Sequence, residues 1–169
     1  MWIRLAVQED LASVVGLLRR VVPSMREAGN HQWDENYPDA AVFERDIERR
    51  QLWVAQIDES IAGMAALTTD REPEYAQVGW DIEEATILVH RLAVDPEFRG
   101  AGVAVTLMQK AEEVAVERGL SAVRVDTSTQ NEAAQRLFLK LGYRLAGEIG
   151  LSFRPGLRVL CYEKRLSQM

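Results

Sequence analysis

The sequence predicts a mixed α/β domain spanning residues 1–169: a central, mostly antiparallel sheet of about seven strands, one parallel pair within it, and about four flanking helices. Three observations predict it. Strand-like runs come in adjacent couples towards both ends of the chain, 52–57 with 61–69 and 143–151 with 157–165. One strand–loop–helix–strand crossover fills the middle, which makes its strands, 85–94 and 121–127, parallel. Capped segments of helical period separate these runs. At 47% hydrophobic and 27% charged, 169 residues provide for one buried core.

Residues 2–7 (WIRLAV) alternate as a short strand. Asp10 precedes Leu11, Val14, Val15, Leu18 and Val22, whose i, i+3, i+4 spacing marks one helical face. Gly29 to Pro38 (GNHQWDENYP) is polar, aromatic and rich in turn formers, and Asp39 caps a second helix bearing Val42, Phe43 and Ile47. LWVAQI and IAGMAALTT read as a hairpin about Asp58-Glu59-Ser60. Residues 70–84 (DREPEYAQVGWDIEE) are acidic and irregular. ATILVHRLAV, 85–94, is almost continuously apolar, so a central strand covered on both faces is expected. The next helix presents Ala104, Leu107, Met108, Ala111 and Ala115 on one face and stops at Gly119. After the strand SAVRVDT, Asn131 caps a helix carrying Ala134, Leu137, Phe138 and Leu141, which stops at Gly142.

Composition narrows the function. A net charge of −6 with no Lys/Arg run argues against a nucleic-acid partner. The negative charge is concentrated in residues 1–118, whereas 119–169 are net basic. The opening MWIRLAVQED, with Arg4, Glu9 and Asp10 around a short apolar run, does not read as a secretory leader, and no run approaches the roughly 20 apolar residues of a membrane span. A single cysteine, Cys161, allows no internal disulfide and fits a reducing cytoplasm; in the apolar run LRVLCY it reads as a buried strand residue, not a nucleophile. Two histidines, His31 and His90, are too few for a histidine-rich metal site, so no metal is expected.

The chemistry concentrates in Arg99-Gly100-Ala101-Gly102 at the mouth of a helix. Glycines there let the chain turn sharply and leave no Cβ in a ligand's way. Unpaired helix N–H groups favour phosphate, and an arginine adds fixed donors. The plainer role, a tight turn against neighbouring strands, stands beside this one. A nucleotide P-loop is excluded, because no Lys-Ser/Thr pair follows the loop. A dinucleotide fingerprint would need a third glycine where Val105 stands, and a tighter strand-to-glycine turn than Asp95 to Arg99 allows. Asp126, at about the distance of a ribose-binding carboxylate, keeps that alternative distantly open.

LAVDPEFRGAGVA, residues 92–104, resembles the acetyl-coenzyme A motif of the GNAT family of N-acetyltransferases, whose loop reads Gln/Arg-x-x-Gly-x-Gly/Ala; Arg99, Gly102 and Ala104 fill its defined positions. NEAAQRLFLKLGY, residues 131–143, resembles the family's next motif at the proper spacing. The resemblance implies a parallel pair splayed at one end, with the pantetheine arm of acetyl-CoA pairing with the main chain of Leu92, Ala93 and Val94. It implies a pyrophosphate wrapped by Gly100, Ala101, Gly102, Val103, Ala104 and Val105, and a cofactor contact from Asn131 near the thiol end. Acetyl transfer to an amine by direct attack follows, and the family's frequent dimerisation admits a homodimer. Non-catalytic sensing of acyl-CoA is the alternative function.

Two bases are candidates. In relatives that acetylate ribosomal-protein amino termini, a carboxylate base occupies the position of Asp126; its plainer role is a strand-end carboxylate pairing with Arg124 or a helix terminus. His90 lies two residues before Leu92, and an imidazole's ordinary pKa suits proton transfer near neutrality. One departure stands out. Where many members place a proton-donating tyrosine, this chain has Phe138. For the acceptor, the segments 29–38 and 70–84 offer aromatics and carboxylates, among them Trp33, Tyr37, Glu35 and Glu83, suited to a cationic amine.

Overall fold

The computed structural model describes residues 1–34 and 36–167. The strand order is β1-β2-β3-β4-β5-β7-β6, mixed in direction, with β4 and β5 the parallel pair. The chain divides into two compact units, Met1–Leu67 with His90–Lys110, and Thr68–Val89 with Ala111–Met169. Strand β4 (Ile87–Val94) and helix α3 (Val103–Glu117) contribute to both.

In the first unit, β1 (Trp2–Leu5) runs antiparallel to β2 (Leu52–Ile57), and β2 to β3 (Ser60–Thr68). Helix α1 (Leu11–Glu27) buries Val14, Leu17, Leu18 and Val21 and continues through Pro23; of the predicted stripe Val14 and Leu18 are buried, while Leu11 and Val22 pack half-buried against the same core. Asp10 does not cap α1 with its side chain. It accepts from Val7 N–H at 2.8 Å and pairs with Arg4 at 2.7 Å, tying the preceding 3-10 turn to β1. Asp39 caps α2 (Ala40–Glu48) as expected, accepting from Val42 N–H at 3.1 Å. Phe43 and Ile47 of α2 join the α1 stripe and Leu52, Val54 and Met64 in one apolar core. At Gly63 of β3 an added Cβ would lie 2.6 Å from Val103 Cγ1 and 2.9 Å from Ala93 O. Only glycine lets the first turn of α3 pack that closely.

In the second unit the parallel ladder pairs Ile87 with Val123, Leu88 with Arg124 and Val89 with Val125, while β4 continues to Val94. On its other side β5 (Ala122–Ser128) pairs along its whole length with β7 (Arg154–Arg165), and β7 pairs with β6 (Arg144–Leu151). The predicted hairpin 143–151/157–165 is present, but its second strand enters beside β5 and begins three residues early. The irregular segment 70–84 contains a 3-10 turn, Pro73–Val78, whose Tyr75 packs with Leu88, Ile149, Val159 and Cys161. Arg124, buried in β5, donates to Glu163 at 2.8 Å and Glu84 at 3.0 Å and lies over the Trp80 ring at 4.8 Å. Helix α4 (Glu132–Lys140) presents Phe138 inward against Tyr143 and Tyr162, with ring centroids 6.1 and 5.5 Å away.

Candidate active site

The glycine loop belongs to the first unit, and Asp95 shapes its entry. Buried at the end of β4, Asp95 accepts from Glu97 N–H at 2.9 Å and from Arg20 Nε at 2.8 Å, while its own N–H donates to Ala62 O at 2.8 Å. A short 3-10 turn, Pro96–Phe98, follows. Gly100 and Gly102 then adopt φ of 81° and 79°, the left-handed region that glycine enters without steric cost. Nothing lies within 4 Å of a Cβ placed at either, so the loop's outer side is open.

Gly102 O accepts from Thr106 N at 3.0 Å and from Thr106 Oγ1 at 2.8 Å, starting α3. Among the described residues, the N–H groups of Gly100, Gly102, Val103, Ala104 and Val105 have no protein acceptor, whereas Ala101 N–H donates to Phe98 O. A run of unpaired amides at a helix N-terminus is a concentration of partial positive charge, suited to phosphate oxygens. Arg99, exposed beside the loop, donates to Ser24 Oγ. Leu92 and Val94 are half-buried and Ala93 is buried, all in the same unit as the loop. His90 is half-buried where β4 runs on past the ladder.

Asp126 belongs to the second unit. The Tyr75 hydroxyl donates to its Oδ2 at 2.5 Å. Burial raises the Asp126 carboxyl above its ordinary value, and the Tyr75 bond works against that rise. Half-buried Glu72 is also raised, first by burial and then by Asp126, Glu74 and Asp70. Cys161, paired across the ladder with Asp126, is pushed up to about 12, chiefly by burial. A cleft of about 230 Å³ opens in this unit, lined among others by Glu72, Tyr75, Thr86, Leu88 and Arg124. Of the plainer partners expected for Asp126, Arg124 or a helix terminus, Arg124 is taken up by Glu84 and Glu163, and the carboxylate accepts from Tyr75.

A model of the acetyltransferase (GNAT) family matches residues 19–143. The chain belongs to the GNAT family. Family members use acetyl-CoA as co-substrate, and the unpaired amides of Gly100 and of Gly102 to Val105 fit a diphosphate there. The chain is 29% identical over 146 residues to the uncharacterised N-acetyltransferase YesJ of Bacillus subtilis, covering 84% of this chain and 81% of that one. To human N-acetylaspartate synthetase it is 31% identical over 118 residues, 70% of this chain and 35% of the relative. A GNAT-family acetyltransferase from Streptococcus agalactiae superposes with a TM-score of 0.85 at 28% identity, covering 99% and 96% of the two chains. By family membership this protein is an acyltransferase, and its sheet, with the one parallel pair, is the GNAT sheet.

The remaining predicted residues land in varied places. Asn131 caps α4, accepting from Ala134 N–H at 3.1 Å. Trp33 is 5% exposed and sits in the first unit's apolar core, not on an open rim. Tyr37 is half-buried with its hydroxyl 3.5 Å from Arg91 Nη1, Glu83 is exposed and pairs with Arg71 at 2.8 Å, and Glu35 lies outside the described residues. Sequence reasoning missed the Tyr75–Asp126 bond and an ion pair between Arg91 of β4 and Asp46 of α2. The second had a signal: an arginine inside ATILVHRLAV needs a buried counter-charge from somewhere.

Proposed function

We propose that this protein transfers an acetyl group from acetyl-CoA to a primary amine: a small amine, an amino acid or a protein amino terminus. The observation that carries the reading is the set of unpaired amides at Gly100 and from Gly102 to Val105, set on two left-handed glycines. These groups, with Arg99, hold the diphosphate of the cofactor. The main chain of Leu92, Ala93 and Val94 pairs with the pantetheine arm. Asn131 keeps its Oδ1 on the α4 cap and offers its amide NH₂ to the cofactor.

The neutral amine attacks the thioester carbonyl, the new C–N bond forms, and the C–S bond breaks with departure of the thiolate. The amine's surplus proton must go to a base. Asp126 takes it: burial makes its carboxylate more basic than an exposed one, and Tyr75 fixes its orientation. His90 is the second candidate. An acid limb of the pH profile that survives Asp126→Asn but disappears in His90→Ala would reassign the base. With Phe138 in the core, the thiolate takes its proton from solvent.

The acceptor's ammonium is drawn to Glu72, which no described cation pairs with, in the cleft that Tyr75 also lines. The human relative is named for synthesising an N-acetylated amino acid, so amino acids head the acceptor panel. The test is calorimetric titration with acetyl-CoA, followed by thiol release across amines, amino acids and peptides. Saturable binding with release for at least one acceptor class is expected. No binding by a folded protein would overturn the reading.

A further inference from the structure

Among the described residues, Arg91 is the only non-glycine inside a strand whose backbone lies in the left-handed region, at φ 53°. The other two such residues sit where chains turn: Arg50 just beyond α2, and Asp58 between β2 and β3. Turn chemistry does not ask for the conformation at Arg91, so something else must hold it there.

Its own guanidinium does so. Nε donates to Asp46 Oδ2 and Nη2 to Asp46 Oδ1, both at 2.7 Å, the paired-fork geometry that fixes direction as well as distance. Asp46 is 2% exposed and also accepts from Gln51 Nε2 at 2.8 Å. Its helix is fixed in turn by Phe43 and Ile47 in the core. Releasing either partner would leave a buried charge unpaired, so the side chain has one place to be and the backbone follows it.

The location of the kink is informative. The registered β4–β5 pairs end at Val89, Arg91 follows two residues later, and Asp95 N–H then bonds Ala62 O. One left-handed residue breaks the alternation of a strand, so the N–H and C=O groups beyond it no longer continue the alignment of those before.

We propose that the Arg91–Asp46 pair is a positioning device for the acyl-CoA arm: it holds β4 bent so that the main chain of Leu92 to Val94 is presented to the cofactor. The inference rests on the acetyl-CoA reading above. The pair touches no reactant and acts through the backbone alone.

Two double variants test it. Asp46→Ala with Arg91→Gly and Asp46→Ala with Arg91→Ala both delete the buried charges, but only glycine enters φ 53° freely. The glycine variant should bind acetyl-CoA within about threefold of the unaltered protein. The alanine variant should bind at least about tenfold more weakly, with acceptor KM unchanged. Equal affinities in two folded variants would overturn the proposal. Should either variant unfold, Asp46→Asn keeps the shape and removes the charge; several-fold weaker cofactor binding is expected, and an unchanged Kd would overturn the idea. The amide shifts of Leu92 to Val94 give a separate readout, staying in place with glycine and moving with alanine. If the unaltered protein binds no acetyl-CoA while those shifts behave as described, the cofactor reading has failed and the brace has not.

Discussion

The Tyr75 hydroxyl donates to Asp126 Oδ2 at 2.5 Å, joining a 3-10 turn to a strand residue 51 positions later. Burial raises the Asp126 carboxyl and this bond lowers it, so Tyr75→Phe must raise it further. A base works in its deprotonated form. The acid limb of kcat/KM is therefore expected at higher pH in Tyr75→Phe, and the rate well above that limb should be nearly retained. Asp126→Asn should lower kcat by about 10²–10⁴-fold. An unmoved limb in Tyr75→Phe would remove Asp126 from the base role.

Gly102 has open space where a Cβ would point but a φ of 79°. The cost of Gly102→Ala thus comes from the backbone and not from a clash, about 1–2 kcal/mol. Isothermal titration should show acetyl-CoA affinity falling by about tenfold. Arg99→Ala should weaken binding and flatten its dependence on salt.

Glu84 lies in a cage of donors: Arg165 Nη1 and Nη2, each at 2.7 Å, Ser121 Oγ at 2.8 Å and Arg124 Nη2 at 3.0 Å. The Arg165 bond first, with Ser121 and Arg124 adding, holds its carboxyl down to about 2. A depressed carboxyl stabilises the fold above its unfolded value and loses that contribution as pH falls towards the folded one. Glu84→Gln should cost about 1–2 kcal/mol at pH 7, allowing for solvent screening. The gap between variant and parent, read by urea denaturation, should narrow between pH 4.5 and pH 2.

Cys161 is buried, and burial, with Asp126 and Glu72 nearby, pushes its thiol up to about 12. Thiolate is the reactive form. At pH 8 the folded protein should resist iodoacetamide and the urea-unfolded protein should react, a contrast that mass spectrometry reads directly.

Much of this molecule was legible in its sequence because the signals were local. The Asp39 and Asn131 caps, the α1 stripe, the glycine loop and the crossover each depend on residues within a few positions of one another. What escaped depends on distant partners. Tyr75 meets Asp126, Arg91 meets Asp46, and Gly63 admits Val103, across separations no periodicity encodes. Trp33 looked like a rim residue because its neighbours are polar, yet the loop folds its indole into the core. The order β5-β7-β6 was equally hidden, since alternation tells a strand which face to bury but not which neighbour to choose.

That order has a bearing on biosynthesis. Strand β5 takes β7 along seven consecutive residue pairs, and β6 reaches the sheet only through β7. Until Arg165 has cleared the ribosome, β5 presents a row of bare N–H and C=O groups, an invitation to aberrant association. Nascent chains stalled before residue 154 should accordingly be captured by chaperones and cut by proteases, whereas chains released past 165 should resist both.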